Sequence, residues 1–190
     1  MKLLIASNNK HKIEEIKAVL GSKFDEIATL SEVAIECDPQ EDGETFLENA
    51  LIKARAAAKF TNCAVLADDT GLCVNALGGK PGVLSARYAS DHDSAANRRK
   101  LLAELQNHTD RSAYFKTVVV LLYPDGKIVT GEGEVCGRII IDEQGDNGFG
   151  YDSIFYSTEL QKTFGQASTA EKLAVSHRSR ALNDLLSKLQ

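Results

Sequence analysis

Four clusters of polar residues have the types and spacing to do chemistry. The first, Ser7-Asn8-Asn9-Lys10-His11-Lys12, follows the apolar run Leu3-Leu4-Ile5-Ala6 and precedes a helical pattern. Such a junction offers backbone N–H groups, a hydroxyl, amides and lysines to an anion, as a polyphosphate requires. Alone the signal is weak, and an N-cap flanked by solvated charge is the plainer reading. The second cluster is acidic: Glu41, Asp42 and Glu44 before a long helical pattern, and Asp68-Asp69 after a second apolar run. Adjacent aspartates at the end of a buried strand are costly to desolvate, and a hard cation such as magnesium offsets that cost. A helix N-terminus and a solvated turn account for the same acids without a metal. The third, Gly148-Phe149-Gly150-Tyr151-Asp152, pairs glycines that admit close backbone approach with aromatic faces that stack on a base; a hairpin loop with core aromatics is its other reading. The fourth joins Glu171-Lys172 to Ser176-His177-Arg178, donors suited to an anion or a carbonyl, although a lone histidine more often serves structure.

Familiar signatures are absent. No GxxxxGK[ST] or HExxH occurs, and Gly131-Glu132-Gly133 is not completed to GxGxxG because residue 136 is cysteine. P-loop and dinucleotide-fingerprint readings fail on these grounds.

The elements that must position these clusters are legible in the periodicity. Residues 2–6 read as a buried strand, and Ile13, Ile16, Val19 and Leu20 recur at helical spacing up to Gly21. Residues 45–60 carry Phe46, Leu47, Ala50, Leu51, Ala54, Ala57 and Ala58 on one helical face, with Lys53 reaching past its edge. Residues 63–67 read as a second strand that runs into the loop-borne cluster Asp68-Asp69-Thr70-Gly71, and residues 77–82 as turn chemistry. Residues 94–106 fit an amphipathic helix. Two strands, 113–123 and 127–137, flank the hairpin signal Pro124-Asp125-Gly126. A glycine-rich loop spans residues 145–150, and Leu182, Leu185, Leu186 and Leu189 mark a closing helix. Without repeats or linkers, the expectation is one α/β domain over residues 1–190, built on a mixed sheet.

Composition narrows the function classes. The 190 residues are 43% hydrophobic and 26% charged, an ordinary globular balance, and the net charge of −5 disfavours binding to polymeric nucleic acid. The longest apolar runs fall far short of the roughly 20 residues a spanning helix needs, and the N-terminal run is broken at once by Asn8, Asn9 and Lys10. No membrane contact and a cytoplasmic location are therefore expected. Cys37, Cys63, Cys73 and Cys136 form no CxxC pair and read as reduced, mostly buried thiols.

Taken in order, the clusters resemble a known family. Ser7-x-Asn9-x-x-Lys12, Thr45-Phe46-x-Glu48-Asn49-Ala50, Ala67-Asp68-Asp69-Thr70-Gly71-Leu72, Leu77-Gly78-Gly79-x-Pro81-Gly82, Phe149-Gly150-Tyr151-Asp152 and Ser176-His177-Arg178 together resemble the inosine triphosphate pyrophosphatase (Ham1-like) family over essentially the whole chain. Many members have Thr-Gly-Asn where this chain has Ser7-Asn8-Asn9, and Gly-Gly-Phe-Gly-Tyr-Asp-Pro where Asn147 and Ser153 stand at the ends.

The resemblance implies an elongated mixed sheet flanked by helices in two lobes, a homodimer, and a magnesium-dependent enzyme. That enzyme would cleave ITP, dITP, XTP and dXTP to monophosphate and pyrophosphate, keeping deaminated purines out of DNA and RNA. Residue by residue, it implies that Ser7, Asn8, Asn9, Lys10, His11 and Lys12 hold the triphosphate, and that Glu41 and Asp69 bind magnesium. Asp69 would also orient or deprotonate the attacking water, with Asp68 a further metal or water contact. Lys53, Thr70 and Lys172 would touch substrate, Phe149, Gly150, Tyr151 and Asp152 would line the base and sugar pocket, and His177 with Arg178 would read the purine's oxo edge.

The chemistry of that edge predicts selectivity. Hypoxanthine and xanthine present a 6-oxo acceptor to donors, whereas adenine presents an amino donor, leaving groups unpaired. Guanine must be refused at its 2-amino group, for which Phe149 and Tyr151 are the candidate wall. Three rivals remain open from sequence alone: a nucleotide sensor without hydrolysis, a pyrophosphatase for modified pyrimidines, and an RNA-binding module, the last opposed by the acidic charge.

Overall fold

The first strand forms because residues 3–6 are uniformly apolar and are buried on both faces, leaving no room for the polar alternation of an open edge. Around it the computed structural model, which describes residues 2–21 and 23–189, places seven strands and five helices. In chain order these are β1 (Lys2–Ile5), α1 (Lys10–Leu20), β2 (Glu26–Thr29), α2 (Phe46–Ala58), β3 (Ala64–Val74), α3 (Ser94–Glu104), β4 (Ser112–Leu122), β5 (Ile128–Ile139), β6 (Phe155–Ser157), β7 (Lys162–Thr163), α4 (Thr169–Val175) and α5 (His177–Ser187). Two short 3₁₀ turns, Asn75–Leu77 and Gly82–Arg87, lie between β3 and α3. The strands order as β2-β1-β3-β4-β5-β6-β7. β1 runs parallel to β2 and β3, while β5, β6 and β7 pair antiparallel, so the expected mixed sheet is present. Among the described residues no helix is long and apolar enough to cross a membrane.

The chain divides into two compact units: Met1–Asp69 with Thr117–Gly133 and Arg178–Gln190, and Thr70–Lys116 with Glu134–His177. In the first unit the two-residue period of the strands sorts side chains between two cores. Leu3, Ile5, Ala64, Leu66, Val119 and Leu121 join Ile16 and Leu20 of α1 and Ala181, Leu182 and Leu185 of α5. Their neighbours Leu4, Ala6, Val65, Ala67 and Val120 join Ala50, Ala54 and Ala57 of α2. Helices thus cover both faces of this part of the sheet. A Cβ at Gly131 would collide with the backbone of Ala181 and Leu185, so glycine there is what admits α5.

In the second unit Leu72, Val74, Leu101, Leu105, Val135, Ile139 and Ile154 pack around Phe115, Phe155 and Phe164. The Phe115 and Phe155 rings lie 4.7 Å apart at 60°. Asp93 caps α3 by accepting from the Ala96 amide at 2.9 Å. Asn97, on the same helix, accepts from the Ala89 and Ser90 amides and donates to the Ala86 carbonyl, which fixes α3 to the segment before it.

Two expectations are corrected, and four short elements are added. β3 does not stop at Ala67 but continues through Asp68, Asp69, Thr70 and Gly71 to Val74, and both aspartates are buried within the strand rather than carried on a loop at its end. The short elements β2, β6, β7 and α4 were not foreseen, because runs of two to seven residues carry too little periodicity to register. Of the four thiols, all unpaired in disulfides, only Cys73 is buried; Cys136 is exposed because β5 alternates strictly and places it with Glu132, Glu134 and Arg138 on the open face.

Candidate active site

In the first unit, β1 ends at Ile5 and the chain turns through Ser7, Asn8 and Asn9 into α1. Asn9 is the N-cap, its Oδ1 accepting from the Lys12 amide at 3.3 Å, while Ser7 Oγ accepts from the Asn9 amide at 3.2 Å. Asn8 Nδ2 donates to the Cys37 carbonyl at 3.3 Å. Non-glycine residues with positive φ among the described residues are Ala34, His92 and Gln161, so Asn8 and Asn147 hold ordinary backbone where the family pattern has glycine. Ser7, Asn8, Asn9, Lys12, Glu41, Lys53 and Asp68 line one cleft. Lys10 and His11 are exposed on the first turn of α1, outside that lining.

The acids and cations of this unit form two sets, one on each face of β3. Asp68 follows Leu66 on the side of α1 and α5. Its Oδ2 takes Lys12 Nζ at 3.1 Å and Arg178 Nε and Nη2 at 3.3 Å each. Arg178 Nη1 also pairs with Glu15 of α1. Burial opposes ionisation of Asp68, but Lys12, Arg178 and Lys53 outweigh it and hold the carboxyl far below the usual carboxylate range. Burial also pulls the Lys12 ammonium down, with Asp68 acting against that.

Asp69 follows Ala67 on the side of α2. Lys53 Nζ lies 3.0 Å from Asp69 Oδ1 and 3.2 Å from Glu41 Oε2, and Asn49 Nδ2 donates to Asp69 Oδ2 at 3.2 Å. Asn49 and Lys53 are four residues apart and so share one face of α2. Asn49 Oδ1 accepts from the Gly43 amide at 2.9 Å, tying down the loop that carries Glu41. The helix is fixed in turn by a capping box of Thr45 and Glu48. Burial raises the Asp69 carboxyl above its ordinary value, with Lys53 and Lys12 opposing and Glu41 adding to the rise. For Lys53, burial is outweighed by Asp69, Asp68 and Glu41, and its ammonium is held above the ordinary value.

Two site residues were absent from the sequence assignment. Asn49 was visible only as part of a motif, and its signal is a polar residue four positions before Lys53 on an apolar helical face. Glu15 has the weaker signal of an acid three residues after Lys12. Arg178, assigned to the purine edge, is fully buried and engaged by Asp68 and Glu15, a structural task that its sequence neighbours do not reveal.

The second unit holds the other assigned residues. Lys172 Nζ lies 2.7 Å from Asp152 Oδ2, with both side chains buried, and 4.7 Å from the Phe149 ring centroid. Asp152 Oδ2 also accepts from the Phe149 amide at 2.9 Å, closing the loop on itself. Gly148 has φ +75, and a Cβ there would collide with the Asp152 carboxylate, so the turn demands glycine twice over. Tyr151 donates from its phenol to the Ser85 carbonyl at 2.8 Å, and burial pushes that phenol up. The His177 ring stacks on Phe115 with centroids 4.7 Å apart and planes 15° from parallel. Thr70 is half-buried on β3, next in sequence to Asp69.

Among the described residues no three His, Cys, Asp or Glu side chains converge as a metal cage. Magnesium does not require one. It takes one or two carboxylates and completes its octahedron with water and substrate phosphates. Glu41 and Asp69 supply two hard oxygen donors gathered around a single positive charge, the Lys53 ammonium, and so fit that ion.

An open mixed α/β sheet carries, at the end of its first strand, a cleft in which the lysines Lys12 and Lys53 stand among the acids Asp38, Glu41 and Asp68. The chain belongs to the Ham1 family, whose sequence profile matches residues 3–188. It is 45% identical over 188 residues to a dITP/XTP pyrophosphatase of Lactiplantibacillus plantarum, covering 98% of this chain and 93% of that one. It is 46% identical over 193 residues to a dITP/XTP pyrophosphatase of Haemophilus influenzae, covering 99% and 98%. The solved structure of the Staphylococcus aureus Ham1 protein superposes with a TM-score of 0.88 at 44% identity, over 100% of this chain and 98% of that one.

Proposed function

We propose that this protein is a nucleoside-triphosphate pyrophosphatase that hydrolyses the non-canonical purine nucleotides ITP, dITP, XTP and dXTP to monophosphate and pyrophosphate, clearing them from the nucleotide pool. The observation that carries the reading is Asp69, a buried carboxylate held by Asn49 and Lys53, with Glu41 on the same lysine and a phosphate-type loop in the same unit. Family membership and the names of relatives that match end to end agree with it.

In this reading Ser7, Asn8, Asn9 and Lys12 hold phosphate oxygens, with Lys10 and His11 adding positive charge at the rim. Lys53 and Lys172 contact substrate, as does Thr70. Asp69 orients water for in-line attack at the α-phosphorus and takes its proton; burial, which raises its carboxyl, favours that second task. Glu41 and Asp69 are the magnesium ligands, and the ion, when bound, supplies positive charge against the phosphates. Lysines preset at fixed distances stabilise the charge that develops on the leaving pyrophosphate. Phe149, Gly150, Tyr151 and Asp152 line the base and sugar pocket, and His177 and Arg178 recognise the 6-oxo edge, Arg178 in addition to its ion pairs. The protein is further read as a cytoplasmic homodimer without affinity for membranes or polymeric nucleic acid.

The test is a panel of ITP, XTP, ATP, GTP, dUTP and dTTP with magnesium, measuring monophosphate, pyrophosphate and orthophosphate separately. Equal monophosphate and pyrophosphate from ITP and XTP, with ATP and GTP slower by orders of magnitude and no turnover in excess EDTA, is the expected result. Orthophosphate with a diphosphate product, or equal kcat/KM for GTP and ITP, overturns it.

A further inference from the structure

The base loop of the second unit is gripped from outside by a side chain that the substrate assignment does not include. Arg98, on α3, donates from Nη1 to the Gly150 carbonyl at 2.7 Å and from Nε to Glu143 Oε1 at 2.9 Å. Glu143 Oε2 in turn accepts from Ser153 Oγ at 2.9 Å. One guanidinium therefore spans the loop: it holds the middle directly and the far end through a carboxylate. The lining of a single cavity runs from Arg98 through Glu143 to Phe149, Asp152 and Ser153.

The geometry of the grip has a definite consequence. Gly148 and Gly150 both sit at positive φ, and because glycine has no Cβ the peptide units beside them have low intrinsic preference for one orientation. A charge-assisted hydrogen bond to the Gly150 carbonyl selects one orientation. That selection fixes how Phe149 and Tyr151, on either side, present their rings. The post from which Arg98 acts is itself held, since Asn97 ties α3 to the preceding segment by three hydrogen bonds and Asp93 caps its first turn. Ser153 adds a hydroxyl at the loop's end where the family pattern has proline, and it is this hydroxyl that engages Glu143.

We infer that Arg98 is a positioning residue for base selectivity, acting on the Phe149-Gly150-Tyr151-Asp152 loop through the Gly150 carbonyl and the Glu143–Ser153 bridge. The inference rests on the reading of that loop as the purine pocket. Its claim that Arg98 orders the loop is testable without substrate.

Two measurements on Arg98→Ala, Arg98→Lys and Glu143→Gln decide it. In hydrogen exchange, the Phe149 and Asp152 amides, bonded to Asp152 Oδ2 and the Phe149 carbonyl, should exchange about tenfold faster in Arg98→Ala, with α1 and α2 amides unchanged. In kinetics, the ITP-to-GTP ratio of kcat/KM should fall by about ten- to a hundredfold in Arg98→Ala, mostly through KM for ITP, and less in Arg98→Lys. Glu143→Gln, on a surface side chain that keeps one oxygen for bonding, should shift both readouts in the same direction by a smaller factor. Unchanged loop exchange in Arg98→Ala overturns the inference whatever the substrate. Faster exchange with an unchanged nucleotide ratio overturns the selectivity role. A wild-type protein inactive on every purine triphosphate sinks the functional reading, and exchange then decides the ordering claim by itself.

Discussion

Arg178→Ala removes a guanidinium that is fully buried and serves two carboxylates, Asp68, whose side chain is 1% exposed, and Glu15, at 11%. Deleting one member of a desolvated ion pair strands the others, at a cost of about 3–5 kcal/mol. Here Lys12, 3.1 Å from Asp68, keeps part of the compensation, which argues for the lower half of that range. For a chain of this length about 3–4 kcal/mol lowers the melting temperature by roughly 6–16 °C. Arg178→Lys, which retains charge but not the fork that reaches both acids, should lose an intermediate amount.

The pH dependence gives the sharper assay. The Asp68 carboxyl is depressed in the folded protein, so its contribution is present above the unfolded carboxylate value and is lost as pH falls from about 5 toward the folded one. Arg178→Ala removes one of the two largest causes of that depression. The variant's Asp68 protonates more readily, so acid costs it less stability than it costs the wild type. The gap in melting temperature is therefore expected to be widest near neutrality and to narrow below about pH 5. Differential scanning fluorimetry or calorimetry from neutrality to the acid limit reads this directly. A neutral-pH loss below about 1 kcal/mol, or a gap that widens in acid, refutes the assignment of Arg178 to a desolvated network.

Two further outcomes follow from the other face of β3. Asp69→Asn keeps side-chain shape while removing the charge on which its proposed role with water depends, and it should fold with a wild-type circular dichroism spectrum while losing nearly all turnover; near-normal activity would end that role. Asn49→Ala removes the amide that orients Asp69 and ties Gly43, and kcat should fall by about 10–100-fold with a smaller change in KM, as measured by pyrophosphate release under saturating ITP.

Long elements were readable because period and burial coincide. The α2 stripe of alanines and the Pro124-Asp125-Gly126 turn appear in the structure where the sequence places them, within two residues at the boundaries. The same alternation rule, applied past Ala67, would have extended β3, but two aspartates in succession look like a turn when only propensity is weighed. What the chain cannot show locally is which distant charge neutralises a buried one. Arg178 and Asp68 are separated by 110 residues, and Glu15 by 163 from the arginine it pairs with. The resemblance names Arg178 for its ligand and is silent on its ion pairs, because those depend on where α5 meets α1 and β3. Asn49 and Arg98 were missed for a related reason: both act on other protein groups, Asp69 and the Gly150 carbonyl, so their residue types announce no chemistry.

The paired aspartates show why the mid-strand placement matters more than their adjacency. In a turn, Asp68 and Asp69 would share solvent and one counter-ion. On a strand, consecutive side chains leave opposite faces, so the two carboxylates meet different partners, even though Lys12 and Asp68 line the same cleft as Glu41 and Lys53. Asp68 meets Lys12 and Arg178, two cations that favour its ionised form. Asp69 meets one lysine that it shares with Glu41, and an amide, and its carboxyl stays above the ordinary value. Identical residues one position apart are thereby tuned in opposite directions, Asp68 downward and Asp69 upward. Exchanging their roles would require shifting β3 by a single residue, which would also turn Leu66 and Ala67 into the wrong cores. The register of β3 against β1, marked by the apolar pairs Leu4 with Val65 and Ile5 with Leu66, is thus what places Asp69 rather than its neighbour beside Lys53 and Asn49, the setting on which its proposed catalytic role rests.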